Sequence, residues 1–175
     1  MLDDIKGMTK IKIDTHIEAP IERVFDLARS IDLHKLSTAG TNEEVVAGRT
    51  QGLIEINETV TWRAKHFGIY QNLTVQVTKM DRPNLFADSM ISGAFSTMEH
   101  SHLFEREGVG TKMTDIFQFT SPFGFIGELA NRLFLKKYMT KFLKNKNKEL
   151  KKIAESEDWK KILTQLPIQK VVDKI

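Results

Sequence analysis

The chain has 175 residues, no cysteine, 26 Lys+Arg against 23 Asp+Glu and 41% hydrophobic residues, enough for one sizeable core and too short for two ordinary domains. Without cysteine there is no disulfide framework, no thiolate nucleophile and no Cys-ligated zinc, which suits a reducing compartment. The opening MLDDIKGMTK holds two acids and no apolar h-region, and no run is long enough to span a bilayer; the expectation is a soluble, cytoplasmic protein.

Residues 1–8 read as a leader. In Lys10 to Glu18 the residues Ile11, Ile13 and Ile17 alternate with Lys12, Asp14, His16 and Glu18, the period-two pattern of a half-buried strand that turns His16 outward. Pro20 then suits a first helical turn, and Ile21, Val24, Phe25, Ala28 and Ile31 recur at helical spacing through Ser30, with room for a further turn or two over Asp32 to Thr38. Between Glu43 and Phe119 the pattern predicts strands at 43–47, 53–65, 69–80, 85–92, 95–106 and 111–120, with breaks short enough for antiparallel hairpins. A long helical stretch follows Pro122 and runs to about Glu155. Its apolar positions form two roughly opposite stripes, Ile126, Leu129, Ala130 and Leu133, then Leu135, Met139, Phe142, Leu143, Leu150 and Ile153. Either two helices meet near Phe134 or one helix covers two surfaces. The tail, 157–175, has room for a short helix from Trp159 to Leu166 before Pro167.

The order is an α+β pattern in which one antiparallel sheet covers its apolar face with the final helix. A curved sheet wrapped round a helix encloses a central cavity unless large side chains fill it. Charge divides along the same line: residues 123–161 carry a local +6 and the remainder −3. The basic segment reads either as a solvated lysine face or as a surface for an anionic partner. Its lysines lack interleaved aromatic pairs, so nucleic acid is set aside, and peripheral contact with an anionic membrane is the functional use it fits better.

Three stretches carry a family resemblance: Ile17 to Phe25 (IEAPIERVF), Gly52-Leu53-Ile54 on to Val60 through Gly68 (VTWRAKHFG), and Gly93-Ala94-Phe95 with His100 to Phe104 (HSHLF). Gly110 to Asp115 and Ser121 to Gly124 extend it. Over residues 9–156 the chain resembles bacterial members of the START and birch-pollen-allergen-like superfamily (SRPBCC), which includes polyketide cyclases/dehydratases and lipid-transfer proteins. The resemblance implies a helix-grip fold whose cavity binds a hydrophobic small molecule. It does not imply one activity.

Strand alternation assigns the faces without the family. Glu58, Val60, Trp62, Ala64 and His66 share the likelier interior face of one strand; Met98, His100, His102 and Phe104 share another; Met113, Asp115, Phe117 and Phe119 share a third. Asp115, among aromatics, requires a partner or a raised pKa, and a hairpin about Gly108 to Gly110 sets it across from His100 and His102. The cluster reads as acid–base machinery, with one imidazole as base and Asp115 fixing its tautomer, or as a satisfied buried pair that fixes strand register. His66, His100, His102 and Asp115 lack a clear third-ligand spacing, so no metal and no cofactor is assigned.

The candidate ligand-binding residues are Trp62, His66, Met98, His100, His102, Phe104, Met113, Asp115, Phe117, Phe119, Phe123 and Ile126. The aromatics among them serve as core or as ligand wall; Phe123 and Ile126, after Pro122, form a gate at the cavity mouth or a helix start packed on the sheet edge. No phosphate loop, dinucleotide fingerprint, Gly-x-Ser-x-Gly elbow or His-Glu-x-x-His is present. Binding or transport of a lipid, isoprenoid or polyketide-like molecule is the leading expectation. A His/Asp-dependent cyclase or dehydratase and an interaction module built on the basic helix and tail are the alternatives, and the oligomeric state is open.

Overall fold

Period-two patterning places β1 at Met8–Ile17, β2 at Glu44–Gly48, β3 at Thr59–His66, β4 at Ile69–Asp81, β5 at Leu85–Ser92, β6 at Thr97–Glu107 and β7 at Gly110–Thr120. The helices are α1 at Ile21–Ala28, α2 at Ile31–Ser37, α3 at Lys136–Ala154 and α4 at Trp159–Thr164. These come from a computed structural model that describes residues 8–38, 42–121 and 134–164.

The strands form one curved antiparallel seven-stranded sheet in the order β1-β7-β6-β5-β4-β3-β2. The N-terminal strand therefore lies beside the last one, and β2 is the opposite edge. At the β2–β3 joint Gly48 has φ 78°, and a Cβ there would stand 2.2 Å from the Thr59 carbonyl oxygen, so no other residue fits. α3 lies across the sheet by a seam of Leu143, Asn147, Leu150 and Ala154, all buried, at the i, i+4, i+7, i+11 spacing of one helix face.

Three sequence expectations are corrected in detail. The strand expected over 53–65 begins at Thr59. Leu53 makes one bridge to Ser30, the Ile54 N–H donates to the Arg29 carbonyl at 3.1 Å, and Asn57 turns the chain with φ 66°. Leu53 and Ile54 are buried because this loop plugs the α1–α2 junction. The helix expected through Ser30 ends at Ala28, because Ser30 caps α2 by accepting from the Leu33 N–H at 3.2 Å. The strand expected from 95 starts at Thr97. The stretch 122–133, with Phe123, Ile126 and the first apolar stripe of the expected long helix, lies outside the described residues, as do 1–7 and 165–175. His16 is exposed beside Glu107, as the alternation predicts. No described helix is long and apolar enough to cross a membrane.

The core divides in two along the sheet. Beneath α1, Phe25 meets Phe86 and Phe104 edge-on at 5.6 and 5.3 Å, with Met113, Leu150 and Ala154 closing the cluster. Towards the far end, Ile13, Trp62, Val75, Met98, Phe117 and Leu143 belong to a second cluster. Between the two runs a polar belt. Each contributing element changes character there: Ile13, Thr15, Ile17 on β1; Met98, His100, His102, Phe104 on β6; Phe117, Asp115, Met113 on β7; Leu143, Asn147, Leu150 on α3.

Candidate functional site

The second cluster does not close. Between the sheet, α2 and α3 lies a cavity of about 700 Å³, within the range of small-molecule sites. Its walls include Trp62 and Val75 from the sheet and Met139 and Phe142 from α3. Three groups of its polar lining residues carry the chemistry. The belt supplies the floor with Asp88, His100 and His102; the flank holds His34 and Glu43; the mouth holds His66 and Tyr138, with Lys146 reaching in from α3.

On the floor, Asp115 is 1% exposed and stands directly opposite His102 in the β6–β7 register. Its Oδ1 lies 3.0 Å from His100 Nε2, a hydrogen bond. The same oxygen lies 2.7 Å from His102 Nδ1, but off the direction of a well-formed hydrogen bond, which leaves that nitrogen without an aligned partner among the described residues. Oδ2 accepts from the Asn147 side-chain amide, which also reaches Thr15 Oγ1 at 3.2 Å. Burial alone would raise the pKa of Asp115. The charge of a protonated His102 and the hydrogen bond from His100 outweigh it and hold the carboxyl well below the usual carboxylate range.

An ionised Asp115 holds the His100 N–H on Nε2, so Nδ1 of that ring is left as an acceptor, and by its charge it favours the N–H of His102 on Nδ1. Burial pushes both histidines below the ordinary imidazole pKa, and with ring centroids 4.0 Å apart a charge on one disfavours a charge on the other. Asp88 pairs opposite His100 in the β5–β6 register. Burial raises its pKa, against the lowering effect of His100 and Lys146. The floor therefore sets a carboxyl whose pKa is raised beside imidazole nitrogens, a combination suited to donating and accepting protons. Asp88, His100 and His102 each bring one ligand atom within 4.8 Å of the others', a set a divalent transition-metal ion could bridge, although the Lys146 ammonium bears on the same groups.

On the flank, His34 stacks on Trp62 with ring centroids 3.9 Å apart, and its Nε2 lies 2.7 Å from Glu43 Oε2. Burial and then the Lys146 charge push its pKa down to about 4, despite the Glu43 contact. At the mouth, His66 Nδ1 lies 2.7 Å from the Tyr138 hydroxyl.

Of the residues singled out from sequence, Trp62, His66, Met98, His100, His102 and Phe117 line the cavity. Asp115 stands behind the two imidazoles rather than in the wall. Phe104 and Met113 belong to the filled cluster under α1, because the twist carries that end of β6 and β7 beneath Phe25. Phe119 is wholly buried behind Phe95, at 5.0 Å between ring centroids. Phe123 and Ile126 lie outside the described residues. Asp88 was missed although its signal was present, an acid between Phe86 and Met90 on one strand face. Asn147 was likewise an amide in an apolar helix seam. The His34–Glu43 pair had no such signal, since it is made across a loop.

The model of the polyketide cyclase/dehydrase and lipid transport family matches residues 8–155. The chain belongs to that family. No curated protein matches it in sequence, so its relatives are seen through structure. TTHA0849 from Thermus thermophilus superposes with a TM-score of 0.68 at 23% identity, over 82% of this chain and 95% of that one. The major latex-like protein 151 of Panax ginseng gives 0.65 at 12% identity, over 86% and 100%. BexL, a di-domain ARO/CYC protein of the BE-7585A biosynthetic pathway, gives 0.68 at 11% identity, over 86% of this chain and 51% of that one. At these identities the likeness is one of fold, the birch-pollen-allergen-like helix-grip, and members of the polyketide cyclase/dehydrase and lipid transport family differ in what they place on it.

Proposed function

We propose that the protein binds and carries a hydrophobic small molecule, a lipid, isoprenoid or polyketide-like compound, in the cavity between sheet and α3, in a cytoplasmic setting. The observation that carries this reading is the cavity: about 700 Å³, apolar on its walls and polar mainly at its floor, flank and mouth. Such a distribution rewards a ligand with a long apolar body and one hydrogen-bonding end. Native mass spectrometry of protein purified from its own host, with a lipid-binding screen, tests it. A co-purifying apolar ligand displaced by Ala64→Phe is the expected result; an empty protein that takes up nothing from the screen refutes the reading.

The floor favours one alternative. Asp115 behind two imidazoles, with Asp88 beside them, is suited to cyclase or dehydratase chemistry, and the ARO/CYC description of BexL is in keeping with it. On that reading His102→Ala abolishes turnover of a polyketide-like substrate while ligand still binds. A carrier keeps its ligand and shows no product with either protein.

A further inference from the structure

β3 and β4 are joined by the two residues Phe67 and Gly68, both with positive φ, 52° and 82°. A two-residue hairpin of that shape favours Asn-Gly, and a bulky aromatic at its first position is strained. Phe67 gains little in return from the core: it is 57% exposed. It instead meets Phe134 and Tyr138 at 5.6 and 4.6 Å between ring centroids. Ile69, Tyr70 and Phe134 are exposed as well, and a Cβ on Gly68 would meet nothing within 4 Å among the described residues. The tip is an exposed apolar projection.

Cations border it. Arg63 lies 4.8 Å from the Tyr70 ring centroid and Lys65 5.8 Å, while Lys136 and Lys137 are exposed at the start of α3, next to Phe134 in sequence. None of the four forms an ion pair with a described carboxylate; Glu44, opposite Arg63 on β2, offsets one charge. Phe67, Phe134 and Tyr138 also line the cavity, so the apolar tip and the cavity mouth are one place.

We propose that the β3–β4 tip and the start of α3 dock on an anionic lipid bilayer, with Phe67, Ile69, Tyr70 and Phe134 entering the interface and Arg63, Lys65, Lys136 and Lys137 meeting lipid headgroups. Exposed aromatics flanked by unpaired cations suit a surface that is apolar inside and negative outside. The strain at Phe67 is then the cost of keeping a wedge at the tip. That docking loads or unloads the cavity rests on the ligand-binding reading; the docking itself does not.

Co-sedimentation with vesicles of pure phosphatidylglycerol and of pure phosphatidylcholine tests it. The wild type binds the first, is released by salt, and binds the second far more weakly. Phe67→Asn, which suits the turn and leaves the fold intact, weakens binding by about tenfold or more, and Lys136→Glu with Lys137→Glu abolishes the preference for phosphatidylglycerol. No binding by the wild type, equal binding by Phe67→Asn, or a dimer that Phe67→Asn disperses would overturn the proposal. Uptake of a fluorescent fatty acid in vesicle-free solution separates the two readings: failure there with intact vesicle binding removes the ligand and leaves the docking.

Discussion

The two ends of the concave face are made of the same strands and meet opposite fates. Under α1, Phe25 reaches down between Phe86 and Phe104, and Leu150 and Ala154 of α3 complete the packing. At the other end Met139, Phe142 and Leu143 line one side, Trp62, Val75 and Met98 the other, and about 700 Å³ remains between them. Strand composition does not explain the difference, since aromatic and aliphatic residues face inward at both ends. What differs is the covering element: α1 drives the wholly buried ring of Phe25 into one end, whereas the rings that α3 brings to the other, Tyr138 and Phe142, line the cavity without filling it. Stability is thus concentrated beneath α1, and the ligand space lies beyond the polar belt.

Removing the plug gives the sharpest test of this contrast. Phe25→Ala is expected to cost about 3–5 kcal/mol in urea unfolding, whereas Met98→Ala, whose side chain already borders open space, costs about 2 kcal/mol. Equal costs would mean that the ends are not energetically distinct. The belt comes next. Asp115→Ala strands two imidazoles and an amide, and about 3 kcal/mol is expected from breaking such a buried group. A loss below about 1 kcal/mol would show that water replaces the carboxylate easily.

Acid should weaken the open end first. His34, His100 and His102 have pKa values held below the ordinary value in the folded protein, so the unfolded chain binds more protons and stability rises with pH. It is fully present at neutral pH and is lost as pH falls below about 6.5, the share of His34 running out near its folded value of about 4. Asp115, displaced downward, stays ionised through this window, and its own contribution is lost only at lower pH. His34→Gln should flatten the loss by on the order of 2 kcal/mol, read from urea midpoints between neutral pH and about pH 4; an unchanged pH profile would place the titrating groups elsewhere.

The smallest stability effect should accompany the largest functional one. Ala64→Phe adds a ring to the open end, where there is space for it, so the unfolding free energy should move by less than about 1 kcal/mol while affinity for the apolar ligand falls more than tenfold. If the variant instead fails to fold, the wall at Ala64 is not bordering free space.

Much of this was legible beforehand, because sheet faces follow a period of two. The inward residues Val60, Trp62, Ala64 and Met98, His100, His102, Phe104 are buried as alternation requires, His66 is half-buried, and Glu58, expected on the same face, instead precedes β3 and pairs with Arg49; the hairpin reasoning that set Asp115 across from His102 matches the register. What alternation does not carry is the twist. It says that Phe104 and Phe117 point inward but not that one falls under Phe25 and the other on the cavity. Nor does it see contacts made across layers: Asn147 to Asp115, and His34 to Trp62, join elements whose spacing along the chain has no period in common.

The position of β1 has a consequence for how the molecule comes into being. β2 to β7 are linked by neighbours in sequence, so they can zip together as a meander from local hairpins. β1 instead waits for β7, roughly a hundred residues later, and α1, which plugs the filled end, is attached to it. During synthesis the first strand must remain unpaired until nearly all of the sheet has emerged. The long loop closure predicts slow folding for the chain's size and makes Ile11, Ile13 and Ile17 the segment most in need of protection while it waits.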